Sequence, residues 1–295
     1  MKVAISGASG FVANALKKRF PNFVVIERKD DVEAIQQKLE GVDAVFNLSG
    51  APIVARWNEA YKKVLYSSRI ETTKKLVEAI NQSEVEHFIS TSAVGIYPNN
   101  VPCDESTRTL GDDFLGKLAQ DWEAEALKCT KCTTILRFGV VLGPDGGALA
   151  KMLPAFKLGL GGIIGDGWMM TSWVDLDDLV AIYAFVLEQK CEGIYNATAP
   201  QPLSNYDFTK ILGKVLHRPT FLPVPVFMIK LLFGEGSTVL LDSKEVYPKA
   251  LIEKGFVFQY PDLERSLRKI LAYRFSKKSV MPSAIITVPE IASKL

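Results

Sequence analysis

The sequence predicts an α/β protein built on a doubly wound parallel sheet with a smaller C-terminal lobe. Through the first half of the chain, short runs rich in β-branched residues alternate with longer stretches of helical period. A turn containing Gly7 and Gly10 follows the first of these runs directly. Because crossovers between parallel strands are right-handed, such an alternation places helices on both faces of one sheet.

The individual elements are predicted in chain order. Strands are expected at residues 3–5, 23–26, 44–48, 87–90, 134–137 and 193–196. Helices are expected at residues 11–19, 32–39, 57–81, 115–128 and 174–188.

The composition of the chain changes after residues 142–147, where glycine and proline become more frequent and the elements shorter. We therefore expect a dinucleotide-binding domain at residues 1–150, to which residues 174–198 return. Residues 151–173 and 199–275 are expected to form the smaller substrate lobe. Residues 276–295 show little periodicity and are interpreted as a tail.

The charge and the hydrophobic stretches of the chain indicate which classes of binding partner to expect. The 295 residues carry 35 basic and 33 acidic side chains, scattered to a net charge of +2, so no basic face favours nucleic acid. A small-molecule ligand is the expectation, and neither a protein partner nor an oligomeric state is predicted. The apolar stretch 221–233 is too short to span a membrane and is interrupted by two prolines and a lysine.

The cysteines favour a cytoplasmic location for the protein, and the histidines give no indication of a metal site. Four cysteines in a chain of this size do not form a secreted disulfide framework. Cys129 and Cys132 have C-x-x-C spacing without a second pair nearby, which fits a helix end running into a strand. His87 and His217 are the only histidines and have no nearby set of ligands, so no metal site is expected.

The glycine turn is the strongest functional signal in the sequence. A strand, a Gly7-x-x-Gly10-x-x-Ala13 turn and a helix start bring backbone N–H groups and a positive helix end to one point, which suits a pyrophosphate. This pattern predicts a Rossmann dinucleotide-binding domain. The candidate contacts in the turn are Gly7, Ser9, Gly10, Phe11 and Val12.

The end of the second predicted strand decides between the two nicotinamide dinucleotides. Glu27 there could accept a hydrogen bond from a ribose 2′-OH, whereas Arg28 and Lys29 could hold a 2′-phosphate. The two cations outnumber the acid, so NADP(H) is favoured over NAD(H). The small-residue turn Leu48, Ser49 and Gly50 after the third strand suits a flat ring and its ribose.

Several further motifs occur in a fixed order. They are Ser6-Gly7-Ala8-Ser9-Gly10-Phe11-Val12, Asn47-Leu48-Ser49-Gly50, Arg56-Trp57, Ser68-Arg69-Ile70-Glu71-Thr72-Thr73, Ser92-Ala93-Val94-Gly95-Ile96-Tyr97, Leu136-Arg137-Phe138-Gly139-Val140-Val141-Leu142-Gly143, Gly159-Leu160-Gly161-Gly162, Leu251-Ile252-Glu253-Lys254-Gly255-Phe256 and the stretch from Tyr260-Pro261 to Leu267. Together they resemble the extended short-chain dehydrogenase/reductase superfamily, and within it an atypical epimerase-like branch with a distinctive C-terminal domain. The resemblance covers the chain to about Tyr273.

The resemblance implies an NAD(P)-binding domain joined to a substrate domain, with the active site between them. Carried over to this chain, it implies cofactor contacts at Arg28, Leu48, Ser49, Arg69 and Val141. It also implies a serine at the catalytic site, Ser92, which follows the fourth predicted strand at the carboxyl edge of the sheet.

The Tyr-x-x-x-Lys pair that the superfamily uses for proton transfer is absent from the expected helix. One register places Leu115 and Ala119 at the two positions, and the other places Asp113 in place of the tyrosine and Lys117 in place of the lysine. Tyr97, five residues after Ser92, is the candidate acid that remains, and packing against the substrate lobe is its alternative role.

Two functional hypotheses follow. The first is an NADP(H)-binding oxidoreductase or nucleotide-sugar-epimerase-like enzyme that acts on a small molecule. The alternative, motivated by the missing tyrosine and lysine, is a non-catalytic NADP(H)-binding sensor or regulatory protein.

Overall fold

A six-stranded parallel sheet forms the centre of the computed structural model, which describes residues 1–279. The strands are β1 Val3–Ser6, β2 Phe23–Ile26, β3 Ala44–Asn47, β4 His87–Ala93, β5 Pro102–Cys103, β6 Cys132–Phe138, β7 Val140–Gly143, β8 Met170–Thr171, β9 Trp173–Asp175, β10 Gly193–Ala197, β11 Leu203–Ser204 and β12 Glu245–Val246. The helices are α1 Phe11–Arg19, α2 Val32–Lys38, α3 Glu59–Ser67, α4 Ile70–Asn81, α5 Phe114–Ala126, α6 Gly147–Lys157, α7 Leu176–Glu188, α8 Asn205–Leu216, α9 Val226–Phe233, α10 Thr238–Leu241, α11 Lys249–Glu253 and α12 Leu263–Ser279.

The order of strands in the central sheet is β10-β6-β4-β3-β1-β2. The chain moves from β1 to one edge of the sheet and then crosses back to β3, so a topological switch point lies between β1 and β3. Ligands of open α/β sheets bind at the carboxyl ends of the strands beside such a point. The predicted fold class, a doubly wound parallel sheet, is confirmed.

Alternate residues of β1 enter different hydrophobic cores, as the period of two in a strand requires. Val3 and Ile5 pack into the core on the face covered by α1 and α7. Ala4 packs into the core on the opposite face, which is covered by α2 and α4. Because both faces are covered, the strands are apolar runs rather than alternating ones.

A third core lies in the C-terminal part of the chain. It contains Leu142, Trp173, Phe208 and Leu267 and joins α6, α8 and α12. Small sheets support this part, since β7 pairs with β9, β8 with β11, and β5 with β12. No helix within residues 1–279 has the length and apolar character needed to cross a bilayer.

Several predicted bounds differ from those observed. The single helix expected at residues 57–81 is two helices, α3 and α4, which break at Ser68 and Arg69. The helix expected from residue 174 begins at Leu176, because Asp175 caps it by accepting a hydrogen bond from the Asp177 amide at 2.8 Å. Helix α12 continues to Ser279, so the first four residues of the expected tail are helical, and residues 280–295 lie outside the described part.

Candidate functional site

The glycine turn between β1 and α1 leaves no room for a side chain at Gly7. Gly7 has a φ of +69°, and a Cβ there would lie 2.6 Å from the Leu48 carbonyl oxygen. The Gly10 amide donates to the Gly7 carbonyl at 2.9 Å and closes the turn. Gly10 is also the N-cap of α1 and offers no capping side chain, so the first-turn N–H groups stay available for an anion.

The Phe11 ring packs against the protein beside this turn and is half-buried. A Cβ on Gly143 would lie 2.6 Å from the Phe11 ring, and one on Gly146 would lie 2.5 Å from it. The glycines after β7 therefore make room for the ring. Val12 is half-buried and packs against the core beside α7, whereas Ser9 is exposed. Phe11 and Val12 would contact a ligand in the turn through their backbone N–H groups.

Asn47, at the end of β3, organises the next loop although sequence analysis did not single out its side chain. It is fully buried, and its Oδ1 accepts from the Ser6 hydroxyl at 2.9 Å and from the Ser49 amide at 3.3 Å. Its Nδ2 donates to the hydroxyls of Thr73 and Ser90 at 2.8 and 3.2 Å. These bonds hold Ser49 at the carboxyl edge of the sheet, close to the glycine turn.

Arg69 lies against the same loop. Its guanidinium donates to the carbonyls of Leu65 and Ala51, both at 3.1 Å, and lies 5.3 Å from the centre of the Trp122 ring. A Cβ on Gly50 would lie 3.1 Å from the guanidinium. Burial lowers the pKa of Arg69 to about 10. Within residues 1–279 no carboxylate pairs with it, which leaves a largely desolvated positive charge beside the loop.

The carboxylates at the end of β2 are each paired with a lysine. Glu27 lies 3.1 Å from Lys29, and Asp30 lies 2.5 Å from Lys38. Asp30 also accepts from the Glu27 amide at 2.7 Å. Burial would raise the pKa of Asp30, but the bonds from Lys38 and the Glu27 amide outweigh burial and lower it. Lys29, predicted with Arg28 as a phosphate ligand, pairs with Glu27 at the exposed surface, and its role toward a phosphate stays a prediction.

A small cleft opens at this point between the β2 loop and α4. It is lined by Ser6, Ile26, Glu27, Arg28, Asp30, Ile35, Ser49, Thr72, Lys75 and Leu76. Arg28 is exposed at its rim. The Lys75 amine reaches across the cleft and donates to the Asp30 carbonyl at 3.3 Å. Lys75 was missed by sequence analysis, although it lies one helical turn after Thr72 in the quoted motif.

The two predicted catalytic residues belong to a buried polar network. The Ser92 hydroxyl donates to Glu123 Oε1 at 2.6 Å, and Glu123 forms a bidentate pair with Arg137 at 2.8 and 2.7 Å. The Tyr97 hydroxyl accepts from Arg137 at 2.7 Å and donates to Asn196 Oδ1 at 2.9 Å. Ser92 is 1% exposed and Tyr97 is fully buried.

Burial also affects the acidity of the Tyr97 phenol. It raises the pKa of Tyr97, an effect that the neighbouring Arg137 opposes only in part. In this arrangement both predicted catalytic hydroxyls already have protein partners, so a catalytic role for Ser92 or Tyr97 stays a prediction.

Neither register of the missing tyrosine and lysine supplies a phenol on α5. Leu115 packs in an apolar cluster with Trp57, and Ala119 is buried. Asp113 caps α5 by accepting from the Gly116 amide at 2.7 Å. The Lys244 amine is buried nearby and donates to the Tyr97 carbonyl at 2.6 Å.

Most of the predicted cofactor contacts lie at one edge of the sheet. The glycine turn, the Leu48–Ser49–Gly50 loop and Arg69 adjoin one another, and Glu27 and Arg28 lie at the neighbouring β2 end. Val141 lies on β7 and packs against the core beside α7. Within the described part, no group of three or more histidine, cysteine or acidic side chains could hold a metal. The residues fit a dinucleotide, since Gly7 leaves space for a close backbone approach and Gly10 leaves its helix end uncapped.

A doubly wound parallel sheet with a glycine turn between β1 and α1 defines a Rossmann-type dinucleotide-binding protein. The model of the NAD dependent epimerase/dehydratase family matches residues 3–198, and the model of a domain of unknown function, DUF1731, matches residues 224–270. The chain belongs to the NAD dependent epimerase/dehydratase family.

Similar proteins occur in plants and animals. The chain is 37% identical to the chloroplastic SDR39U1 homolog of the epimerase family from Arabidopsis thaliana, over 92% of this chain and 87% of that protein. It is 32% identical to the human epimerase family protein SDR39U1, over 92% of this chain and all of that protein.

A crystal structure of human SDR39U1, isoform 2, with NADPH superposes with a TM-score of 0.85 at 31% identity, covering 92% of this chain and 99% of the human chain. A nucleoside-diphosphate sugar epimerase from Corynebacterium glutamicum superposes with a TM-score of 0.73 at 29% identity, covering 95% of this chain and 60% of that protein. These matches agree with the predicted epimerase-like branch and its C-terminal domain.

Proposed function

We propose that this protein binds NADP(H) in preference to NAD(H), and that it acts on a small molecule as an oxidoreductase or nucleotide-sugar-epimerase-like enzyme. The observation that carries the proposed cofactor preference is the cleft at the end of β2, and the family match supports the proposed activity. There Glu27 and Asp30 are paired with lysines, and Arg28 is exposed at the rim. An arginine suits a phosphate monoester because its guanidinium presents several donors in one plane.

The glycine turn supports the same proposal. The uncapped start of α1 would hold the pyrophosphate, and the loop that Asn47 fixes would hold the neighbouring ribose. The similar human protein was crystallised with NADPH. When bound, a nicotinamide cofactor supplies hydride transfer, and the protein supplies binding and orientation.

Replacing Arg28 tests the cofactor preference. We expect Arg28→Ala to weaken NADPH binding at least tenfold and NADH binding less than twofold, because only NADPH carries the 2′-phosphate. Isothermal titration calorimetry measures both affinities. Arg108→Ala, which removes an exposed arginine outside the cleft, is the control and should change neither. Equal losses for the two cofactors in Arg28→Ala would contradict the proposed preference.

The buried network around Ser92 favours a second candidate function, a non-catalytic NADP(H) sensor. Neither Ser92 nor Tyr97 has a free hydroxyl, and no phenol lies at the superfamily's position on α5. A sensor needs cofactor-dependent affinity for a partner and needs no general acid.

Turnover separates the two candidates. The purified protein is incubated with NADPH and a panel of carbonyl compounds and nucleotide sugars, while cofactor absorbance and sugar products are followed. If the protein is an enzyme, we expect it to turn over a member of the panel. The Arg28→Ala variant should turn over the same compound more slowly when NADPH is limiting. Tight NADPH binding without turnover, together with NADPH-dependent capture of a partner, would favour the sensor instead.

We also propose that the protein acts in the cytoplasm, as its cysteine usage predicts. The similar Arabidopsis thaliana protein is chloroplastic by name. Localisation of a tagged full-length chain in its own cells tests this proposal.

A further inference from the structure

Beyond Arg28, the cleft at the end of β2 contains a second cation that comes from a different element. Lys75 lies on α4, and its half-buried side chain lines the α4 wall of the cleft that Arg28 also lines. Its amine lies 3.3 Å from the Asp30 carbonyl, so the side chain extends toward the β2 loop rather than away from the protein. Thr72, one helical turn earlier, lines the same wall.

The charge balance of the cleft leaves Lys75 without a carboxylate. The two acids that line the cleft, Glu27 and Asp30, are already paired with Lys29 and Lys38. The one hydrogen bond of the Lys75 amine within residues 1–279 goes to a neutral carbonyl, so two of its three donors remain. Arg28 and Lys75 are therefore the cations left to balance a ligand in the cleft.

A phosphate monoester matches this pair of cations. It carries a charge between −1.5 and −2 near neutral pH, with a second pKa of about 6. Two cations from different elements at the same cleft would balance that charge, whereas a ribose 2′-OH offers no charge to balance. A lysine amine on a helix beside the β2 loop is thus expected to strengthen the binding of NADP(H) more than the binding of NAD(H).

We propose that Lys75 is a specificity-determining residue that binds the 2′-phosphate of NADP(H) together with Arg28. The inference rests on the proposed function, because it requires the 2′-phosphate to bind at the mouth of this cleft, whose own volume of about 10 Å³ holds no more than one water. On binding, the Lys75 amine keeps or exchanges its bond to the Asp30 carbonyl and donates to phosphate oxygens. Lys29 contributes indirectly, by neutralising Glu27.

The test compares Lys75→Gln with Lys74→Gln, a control that removes the neighbouring exposed lysine on the same helix. Affinities for NADPH, NADH, adenosine 2′,5′-bisphosphate and 5′-AMP are measured by calorimetry. For Lys75→Gln we expect about a tenfold loss for the two ligands with a 2′-phosphate and less than a twofold change for the other two. Lys75→Arg should keep most of the preference, and Lys74→Gln should match the wild type.

The other outcomes distinguish this inference from the proposed function. If Arg28→Ala loses NADPH selectivity and Lys75→Gln does not, Lys75 is not a ligand and the inference fails while the proposed function stands. If Lys75→Gln weakens all four ligands equally, Lys75 only supports the β2 loop, which a lowered melting temperature would corroborate. If the wild type binds NADPH no more tightly than NADH, both the proposed preference and the inference are wrong.

Discussion

Gly7 meets two separate demands that other residues cannot meet together. Its φ of +69° lies in the left-handed region, and a Cβ there would lie 2.6 Å from a backbone carbonyl that cannot rotate away. Gly41 has a similar φ of +64°, but nothing lies within 4 Å of the Cβ position. The two glycines therefore separate the cost of the backbone conformation from the cost of the clash.

We expect Gly41→Ala to lower the free energy of unfolding by about 1 kcal/mol, the cost of placing alanine in a left-handed conformation. Gly7→Ala should lower it by about 3 kcal/mol, because overpacking against Leu48 adds to that cost. Gly7→Ala should also weaken NADPH binding at least tenfold, since the turn must move. Urea denaturation and calorimetry measure these effects, and equal losses of stability in both variants would refute the steric argument.

The individual residues also show where sequence reasoning could and could not succeed. Gly7 and Gly10 were predictable because their spacing follows from local backbone geometry. The approach of Lys75 to the β2 loop was not predictable, because it depends on the distance between a loop and a helix 45 residues apart. The pairing of Glu27 with Lys29 depends on the rotamers of two exposed side chains, which the sequence does not set. The burial of Ser92 was equally hidden, since Ser92 lies on β4 and its partner Glu123 lies on α5.

At the level of elements, the sequence predicted the existence and type of every strand of the central sheet, with bounds that differ by no more than three residues. The periodicity of hydrophobic residues depends only on neighbours in the sequence, so apolar runs predict the strands well. The break between α3 and α4 was missed because it depends on side-chain bonds to the backbone. The Ser68 hydroxyl bonds to the Leu65 carbonyl and the Ala51 amide, and Arg69 bonds to the same Leu65 carbonyl.

The network of Ser92, Glu123, Arg137, Tyr97 and Asn196 joins four elements, namely β4, α5, β6 and β10, and the loop that follows β4. Burial would lower the pKa of Arg137, but its bonds to Glu123 outweigh burial and raise it, so the guanidinium stays charged. Removing either Glu123 or Arg137 would leave the charge of the other buried without a partner. Such a substitution would therefore strongly lower the free energy of unfolding. A catalytic use of Ser92 would require its bond to Glu123 to be exchanged for one to the substrate.

At the level of the whole molecule, one buried carboxylate connects the core of the central sheet with the C-terminal core. Asp175 is fully buried at the start of α7 and accepts from the Ser266 hydroxyl at 2.5 Å and the Lys269 amine at 2.6 Å, both on α12. Lys269 also pairs at 2.8 Å with Asp177, whose side chain is 59% exposed. The same lysine thus has one buried and one exposed acidic partner.

We expect Asp175→Asn to lower the free energy of unfolding by about 3 kcal/mol, because it leaves the mostly buried Lys269 without its buried counter-charge and weakens the bond to Ser266. Asp177→Asn, the control, should lower the free energy of unfolding by less than about 1 kcal/mol because an exposed ion pair contributes little.

Far-ultraviolet circular dichroism and tryptophan fluorescence follow urea unfolding of both variants. Since α7 packs in the sheet core and α12 in the C-terminal core, coincident transitions at a lower urea concentration in Asp175→Asn would show that the two cores unfold as one unit. Equal losses in the two variants would instead mean that burial of Asp175 adds nothing to the link.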